Sequence, residues 1–442
     1  MTATDPVVGF DPHSPPSPQL IDACVHCGFC LATCPSYRVL GTEADSPRGR
    51  IYLMDAINNG EAALEDVAHH FDTCLGCLAC VTTCPSGVQY DKLITATRAQ
   101  VQRNYPRPAI TQLFRRFIFQ TLPYPNRLRA LLLPLWGYQA LGLGAIERRL
   151  GLLTRLLPKP LAAMYQMLPP LSAASFRDPQ PTVIPAQGER RGRVGVILGC
   201  VQRLFLPAVN EATIAVLSAN GFEVVLPPQQ GCCGALPHHQ GEERQAQDLA
   251  RNMIDCFETA AVDAVLINAS GCGHTLKEYH HLLAADADYG DRARAFVAKV
   301  EDVQVFLAQR GLVTPLHPLS DRPLTLVYQD ACHMIHGQKI RLEPRQLLRQ
   351  IPQVQLREPV DAALCCGSAG VYNIFQPEIA AELGRQKVRH LLNTRPDVIV
   401  SANVGCSVQL NRHLQEQGAR VPIYHPMQLL ASAIRGEPLG KV

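Results

Sequence analysis

Eight of the 17 cysteines fall in two runs before residue 85. The first is Cys24-Val25-His26-Cys27-Gly28-Phe29-Cys30-Leu31-Ala32-Thr33-Cys34-Pro35, and Cys74-Leu75-Gly76-Cys77-Leu78-Ala79-Cys80-Val81-Thr82-Thr83-Cys84-Pro85 repeats its spacing without a gap. Spacing of this kind wraps three thiolates around one four-iron four-sulfur cube, while the proline turns the fourth cysteine toward the other cube of a two-cluster protein. Cys24, Cys27, Cys30 and Cys84 are therefore expected to hold one 4Fe-4S cluster, and Cys74, Cys77, Cys80 and Cys34 the second. Zinc also uses pairs two residues apart, but it needs only two pairs, and here all eight positions fit the cluster pattern.

A second set of thiols is duplicated. Cys200, Cys232, Cys233 and Cys272 are followed, 132 to 134 residues later, by Cys332, Cys365, Cys366 and Cys406. Both pairs continue as Cys-Cys-Gly (Gly234, Gly367), and both last cysteines follow a glycine (Gly271, Gly405). Matched offsets of this kind mark an internal repeat. Each set offers an iron–sulfur cluster, a zinc ion or a bare vicinal dithiol its four ligands. Cys256 has no counterpart and reads as helix core. His274 and His333, beside site cysteines, are candidates for ligands or proton carriers, with a supporting or surface role favoured.

The elements that must position these thiols alternate. Strands are expected at Val194–Leu198, Glu223–Leu226 and Ala264–Asn268, and again at Leu324–Tyr328, Val354–Leu356 and Asp397–Ser401. Helices are expected at Pro207–Ala219 and Glu242–Thr259, and at Glu343–Gln350 and Pro377–Leu392. Such alternation implies parallel α/β units, whose ligands sit beyond the carboxyl ends of the strands. All the duplicated cysteines fall at strand ends, so four thiols can converge in each unit. The fold class is thus α plus α/β. A loose tail over 1–19 leads into a helical two-cluster ferredoxin-type domain over 20–105. A basic helical linker over 106–190 then joins it to two Cys-Cys-Gly domains over 191–320 and 321–442.

The chain has 442 residues, 47% hydrophobic and 18% charged, with a net charge of +3. That describes a folded chain of several domains, with no overall charge that would recruit nucleic acid. The N-terminal stretch, rich in Pro, Asp and Ser, has no secretory pattern, so a reducing, cytoplasmic setting is expected and the cysteines read as metal ligands. Residues 101–160 carry Arg103, Arg107, Arg115, Arg116, Arg127, Arg129, Arg148, Arg149, Arg155 and Lys159 against Glu147 as the one acid. Phe117, Phe119, Leu131, Leu132, Leu133, Trp136, Leu152 and Leu153 are interleaved with them. Such a segment suits either a membrane surface or a packed hairpin against protein. Ala130–Ile146 is too short and too interrupted to span a bilayer. No dinucleotide or phosphate loop is present, so electrons must come from another protein.

Cys24 to Pro35, Asp45-Ser46-Pro47-Arg48-Gly49-Arg50-Ile51-Tyr52-Leu53, Cys74 to Val88, and Asn268-Ala269-Ser270-Gly271-Cys272-Gly273 together resemble the iron–sulfur subunit of glycolate oxidase (glycolate dehydrogenase). The resemblance implies a complex in which FAD-containing subunits oxidise glycolate to glyoxylate and this subunit passes electrons to a quinone-type acceptor, peripherally on the inner face of the cell membrane. Related subunits serve lactate or glycerol-3-phosphate oxidation, and these are the alternative substrates. A disulfide reductase using the Cys-Cys-Gly sites is a third reading. Against it, Thr275 and Gln409 stand where heterodisulfide reductases place a fifth cysteine.

Overall fold

Short runs rich in Val, Ile and Leu become most of the strands, and amphipathic stretches between them become the covering helices. The computed structural model describes residues 9–142, 156, 161, 164–165 and 167–439. Leu152, Leu153, Arg148, Arg149, Arg155, Lys159 and Glu147 lie outside the described residues.

The N-terminal part is helical. The Pro47–Asn58, Leu64–Asp72 and Tyr90–Asn104 helices enclose a core of Ile51, Met54, Ile57, Phe71, Leu93 and Ile94, and the cysteine loops rest on it. Ser46 caps the first of these helices by accepting from the Gly49 N–H at 3.0 Å, with Pro47 at its first turn. The expected loose tail is held down from residue 9 onward. Asp11 accepts from Arg103 and Asn104, and Gln100 donates to the Asp11 and His13 carbonyls.

Two sheets follow. The first consists of β1 (Val183–Ile184), β2 (Gly192–Ile197), β3 (Phe222–Val225), β4 (Ala264–Ile267) and β5 (Val300–Asp302), in the order β1-β3-β2-β4-β5. The second consists of β6 (Leu324–Gln329), β7 (Val354–Arg357), β8 (Val398–Ser401) and β9 (Ile423–Tyr424), in the order β7-β6-β8-β9. In both, the first strand of the repeat sits between the second and third with parallel pairing. The expected strands and helices are present within a residue or two. β1, which pairs antiparallel with β3, comes from before residue 191, so the first sheet draws on the linker segment.

The two units share a core. Val194, Val196, Leu217 and Phe222 of the first belong to one buried cluster with Leu326, Leu347, Ile399 and Leu430 of the second. Between them, the Ser270 N–H donates to the Ala402 carbonyl at 3.1 Å and buried His425 donates through Nε2 to the Asn268 carbonyl at 2.8 Å.

Candidate metal centres

The two N-terminal cysteine runs adopt the same loop. Each has left-handed backbone just before and just after its second cysteine, at His26 and Gly28 and at Gly76 and Leu78. The loops bring Cys24, Cys27, Cys30 and Cys84 to one cavity and Cys34, Cys74, Cys77 and Cys80 to a neighbouring one; Cys80 also borders the first. The two cavities differ in environment. Cys27 is exposed and Cys24, Cys30 and Cys84 are half-buried, whereas the other four are buried. Burial drives the Cys77 and Cys80 thiols well above the ordinary range. Burial acts the same way on Cys74, but the Arg50 and Arg98 guanidiniums outweigh it and hold that thiol below the usual value. Arg50 is fully buried, lines the same cavity, and has an Nη1 with no hydrogen-bond partner among the described residues. An orphaned cationic donor beside four thiols fits an anionic, thiolate-ligated cluster.

The Cys-Cys-Gly units repeat one arrangement. Cys200 follows β2, Cys232 and Cys233 follow β3, and Cys272 lies in the Ser270–Lys277 helix after β4. Cys332, Cys365, Cys366 and Cys406 occupy the same places after β6, β7 and β8. Cys200 and Cys232 sulfurs are 3.3 Å apart. In each unit the second cysteine of the pair, Cys233 or Cys366, accepts S–H contacts from its neighbour and from the fourth cysteine, which holds it well below the normal thiol range. Gly234 and Gly367 are left-handed, and a Cβ on either would press on the backbone of the next long helix. A buried cation stands by each set. Arg203 donates to the Gly199 and Gln230 carbonyls near Cys200, and Lys387 donates to the Ala362 carbonyl near Cys366. Among the described residues, no three His, Cys, Asp or Glu side chains converge on a point as one metal ion requires.

The buried N-terminal centre abuts the second unit. Leu75, Cys77 and Ala79 share an apolar cluster with Leu364, Cys365 and Tyr372, and half-buried Cys332 packs against it. Tyr372 donates to the Thr73 carbonyl at 2.9 Å, and His333 donates to the Gly76 carbonyl at 2.8 Å. His274 is buried and His333 half-buried, so neither is a free surface side chain. With His238 and His239 they form a chain of imidazoles, ring centres 4.8 to 5.7 Å apart, on the wall of a cavity of about 230 Å³ between the helical N-terminal part and both units. Burial lowers all four imidazole pKa values and keeps the rings neutral. His238 and His239 escaped the sequence reading; the one signal was their place five and six residues after Cys233. Cys256 lies half-buried on the Glu243–Glu258 helix against the first unit's core.

The basic linker spends much of its charge internally. Arg107 makes a two-pronged pair with Asp72 at 2.6 and 2.8 Å, and Arg129 reaches Asp178 at 2.5 Å. Arg115 is buried between Phe119 and Phe375 and donates to the Gln240 carbonyl. The Ala109–Thr121 helix thereby packs Ile118 and Phe119 on Val371 and Ile374 while leaving Ile110, Leu113 and Phe117 exposed. Among the described residues no helix is long and apolar enough to cross a membrane.

Comparison with known proteins agrees with this layout. A 4Fe-4S dicluster domain matches residues 20–88, the linker region of glycolate oxidase iron–sulfur subunits matches 111–168, and a cysteine-rich domain matches twice, at 194–277 and 326–411. The probable glycolate oxidase iron–sulfur subunit of Bacillus subtilis is 38% identical over 93% of both chains. The glycolate oxidase iron–sulfur subunit of Escherichia coli is 35% identical over 95% of both. Lactate utilization protein A of Halalkalibacterium halodurans is 29% identical over 54% of this chain and 96% of its own. Two thiol-lined cavities, a duplicated Cys-Cys-Gly sheet and full-length likeness lead to one assignment: the chain belongs to the family of glycolate oxidase iron–sulfur subunits.

Proposed function

We propose that this chain is the electron-transfer subunit of a glycolate dehydrogenase, with Cys24, Cys27, Cys30 and Cys84 holding one 4Fe-4S cluster and Cys34, Cys74, Cys77 and Cys80 the other. Each cluster, when bound, supplies a one-electron redox centre. The carrying observation is the pairing of an exposed thiol-lined cavity with a buried one that backs onto the Cys332 site. Exposed Cys27 offers the point of electron entry from FAD-containing partner subunits, and the contact of Cys77 with the second unit offers the way onward. Glycolate going to glyoxylate releases two electrons and two protons, which a quinone-class acceptor takes up as it becomes the quinol. The imidazole-lined cavity, with Glu278 and His281 on its wall, is the place where such a proton-coupled acceptor would meet the relay.

The four thiols of each Cys-Cys-Gly unit, with a buried cation beside them, support a further cluster there; a single zinc ion would need the thiols to close in on one point, which they do not do among the described residues. A disulfide reductase is less well supported. Cys232, Cys233, Cys365 and Cys366 are each at most 4% exposed, which denies a disulfide substrate access. The exposed apolar residues of the linker support contact with a partner or with the inner face of the cell membrane.

The test is glycolate-driven dye reduction by the reconstituted complex, carrying Cys365→Ser/Cys366→Ser in this subunit. Lost flow with the N-terminal clusters still filled would put the second unit on the path. Unchanged flow would take it off. Activity with lactate in place of glycolate would move the substrate assignment to the alternative.

A further inference from the structure

The two N-terminal centres receive unequal charge. We propose that Arg50, backed by Arg98, raises the potential of the buried Cys34/Cys74/Cys77/Cys80 centre above that of the exposed one and so sets the direction of electron flow; this rests on the two-cluster reading above.

Arg50 is 0% exposed and rigidly held. Its Nε donates to the His70 carbonyl at 2.6 Å, and its Nη2 donates to Ser36 Oγ at 3.1 Å and Thr73 Oγ1 at 2.9 Å. Asp45 lies 3.5 Å away, but its Oδ1 is also engaged by Thr73 at 2.5 Å and His70 at 3.0 Å. Nη1 is left without a partner among the described residues, and Arg50 lines the thiol-lined cavity. Arg98, 7% exposed, donates Nη2 to the Cys74 carbonyl and Nη1 to the His239 carbonyl at 2.9 Å, and among the described residues none of its hydrogen bonds goes to a carboxylate. Two guanidiniums thus face Cys74, and of the two only Arg50 has an acid, Asp45, within ion-pair distance.

Among the described residues the exposed centre has no such buried pair. Arg48 is its nearby cation; that side chain is 31% exposed and already paired with Glu43 at 2.6 Å. Water and the partner acid screen it.

These differences act on the reduced state, which carries one more negative charge. Burial alone disfavours that charge and would make the inner centre the harder one to reduce. A fixed cation in the same low-dielectric surroundings works the other way, and more strongly than it would in water. With Arg50 and Arg98 in place, an electron entering by the Cys27 side runs toward the Cys332 side. Nothing is consumed: the exposed centre is oxidised by one electron as the buried one is reduced by one.

The experiment is an EPR-monitored redox titration of the full chain, with Cys84→Ser used to assign the exposed centre's signal. In the unaltered protein the buried centre should reduce first. Arg50→Gln should lower its reduced-to-oxidised ratio at fixed potential at least tenfold, about 59 mV for a one-electron couple, and leave the exposed centre unmoved. Arg50→Lys should recover part of the shift. Arg50 also ties Ser36, Thr73 and His70 together; where Arg50→Gln sheds iron, Arg98→Gln decides, with a shift in the same direction and full iron content. An unmoved buried centre in variants that keep their iron would overturn the proposal, and so would an unaltered protein whose exposed centre reduces first. An unaltered protein without two N-terminal clusters would instead overturn the reading underneath it.

Discussion

Gly367→Ala should damage the chain more than Gly234→Ala, although both alter the same Cys-Cys-Gly motif. Both glycines are left-handed, with φ of +84° and +79°, and an L side chain there costs about 1–2 kcal/mol. The surroundings separate them. A Cβ at position 234 would stand 3.0 Å from the Ala246 carbonyl oxygen, a contact that a small shift relieves. At position 367 it would collide with the Ala380 oxygen and come within 3.1 Å of the carbonyl carbon, inside the first turns of the Pro377–Leu392 helix. Forcing that helix outward adds about 1–3 kcal/mol. Gly367→Ala should therefore cost about 2–5 kcal/mol in all, a large part of a typical stability of about 5–15 kcal/mol. Gly234→Ala should stay near the lower figure. Urea unfolding of the full chain measures both, and the thiol reactivity of Cys365 and Cys366 reports the local displacement. Equal midpoints, or a greater loss in Gly234→Ala, would refute the reasoning.

Crossed ligation separates two serine variants. Cys34→Ser should abolish the EPR signal of the buried centre and Cys84→Ser that of the exposed one; the opposite pattern would mean that each run holds its own cluster. Acid should loosen the joint between the two units through His425. Burial pushes its pKa down to about 4 from an ordinary 6.5, so the folded state binds fewer protons than the unfolded one between those values. Stability is then full above about pH 6.5 and falls by up to about 3 kcal/mol toward pH 4. His425→Gln should flatten that part of the stability curve, and an unchanged slope would exclude His425 as the cause. Arg115→Ala should free the linker helix from the second unit at about 2 kcal/mol, visible as faster proteolysis between residues 109 and 121.

The sequence made the eight-cysteine spacing and the repeat legible because cluster loops and strand-end thiols tolerate little variation in spacing. Five of the six expected strands are found as largely buried apolar runs, and the sixth, Val354–Arg357, as an alternation that half-buries Val354 and Leu356 and exposes Gln355 and Arg357. β1, β5 and β9 were missed, being two or three residues long with no period to read. The internal pairing of the basic segment over 101–160 was not legible. Arg103, Arg107 and Arg129 find their acids 35 to 92 residues away in Asp11, Asp72 and Asp178, and pairing at that range leaves no local trace. The imidazole chain was invisible for the same reason, since His238, His239, His274 and His333 meet only when three parts of the chain pack together.

Iron and acid-labile sulfide per full chain, purified without oxygen and paired with low-temperature EPR of the reduced protein, test the central claim most directly. The account predicts at least eight irons with matching sulfide and two distinct reduced-cluster signals; irons beyond eight would belong to the Cys-Cys-Gly units. A chain that supports glycolate-driven electron flow while holding zinc, or no metal, at its eight N-terminal cysteines would contradict it.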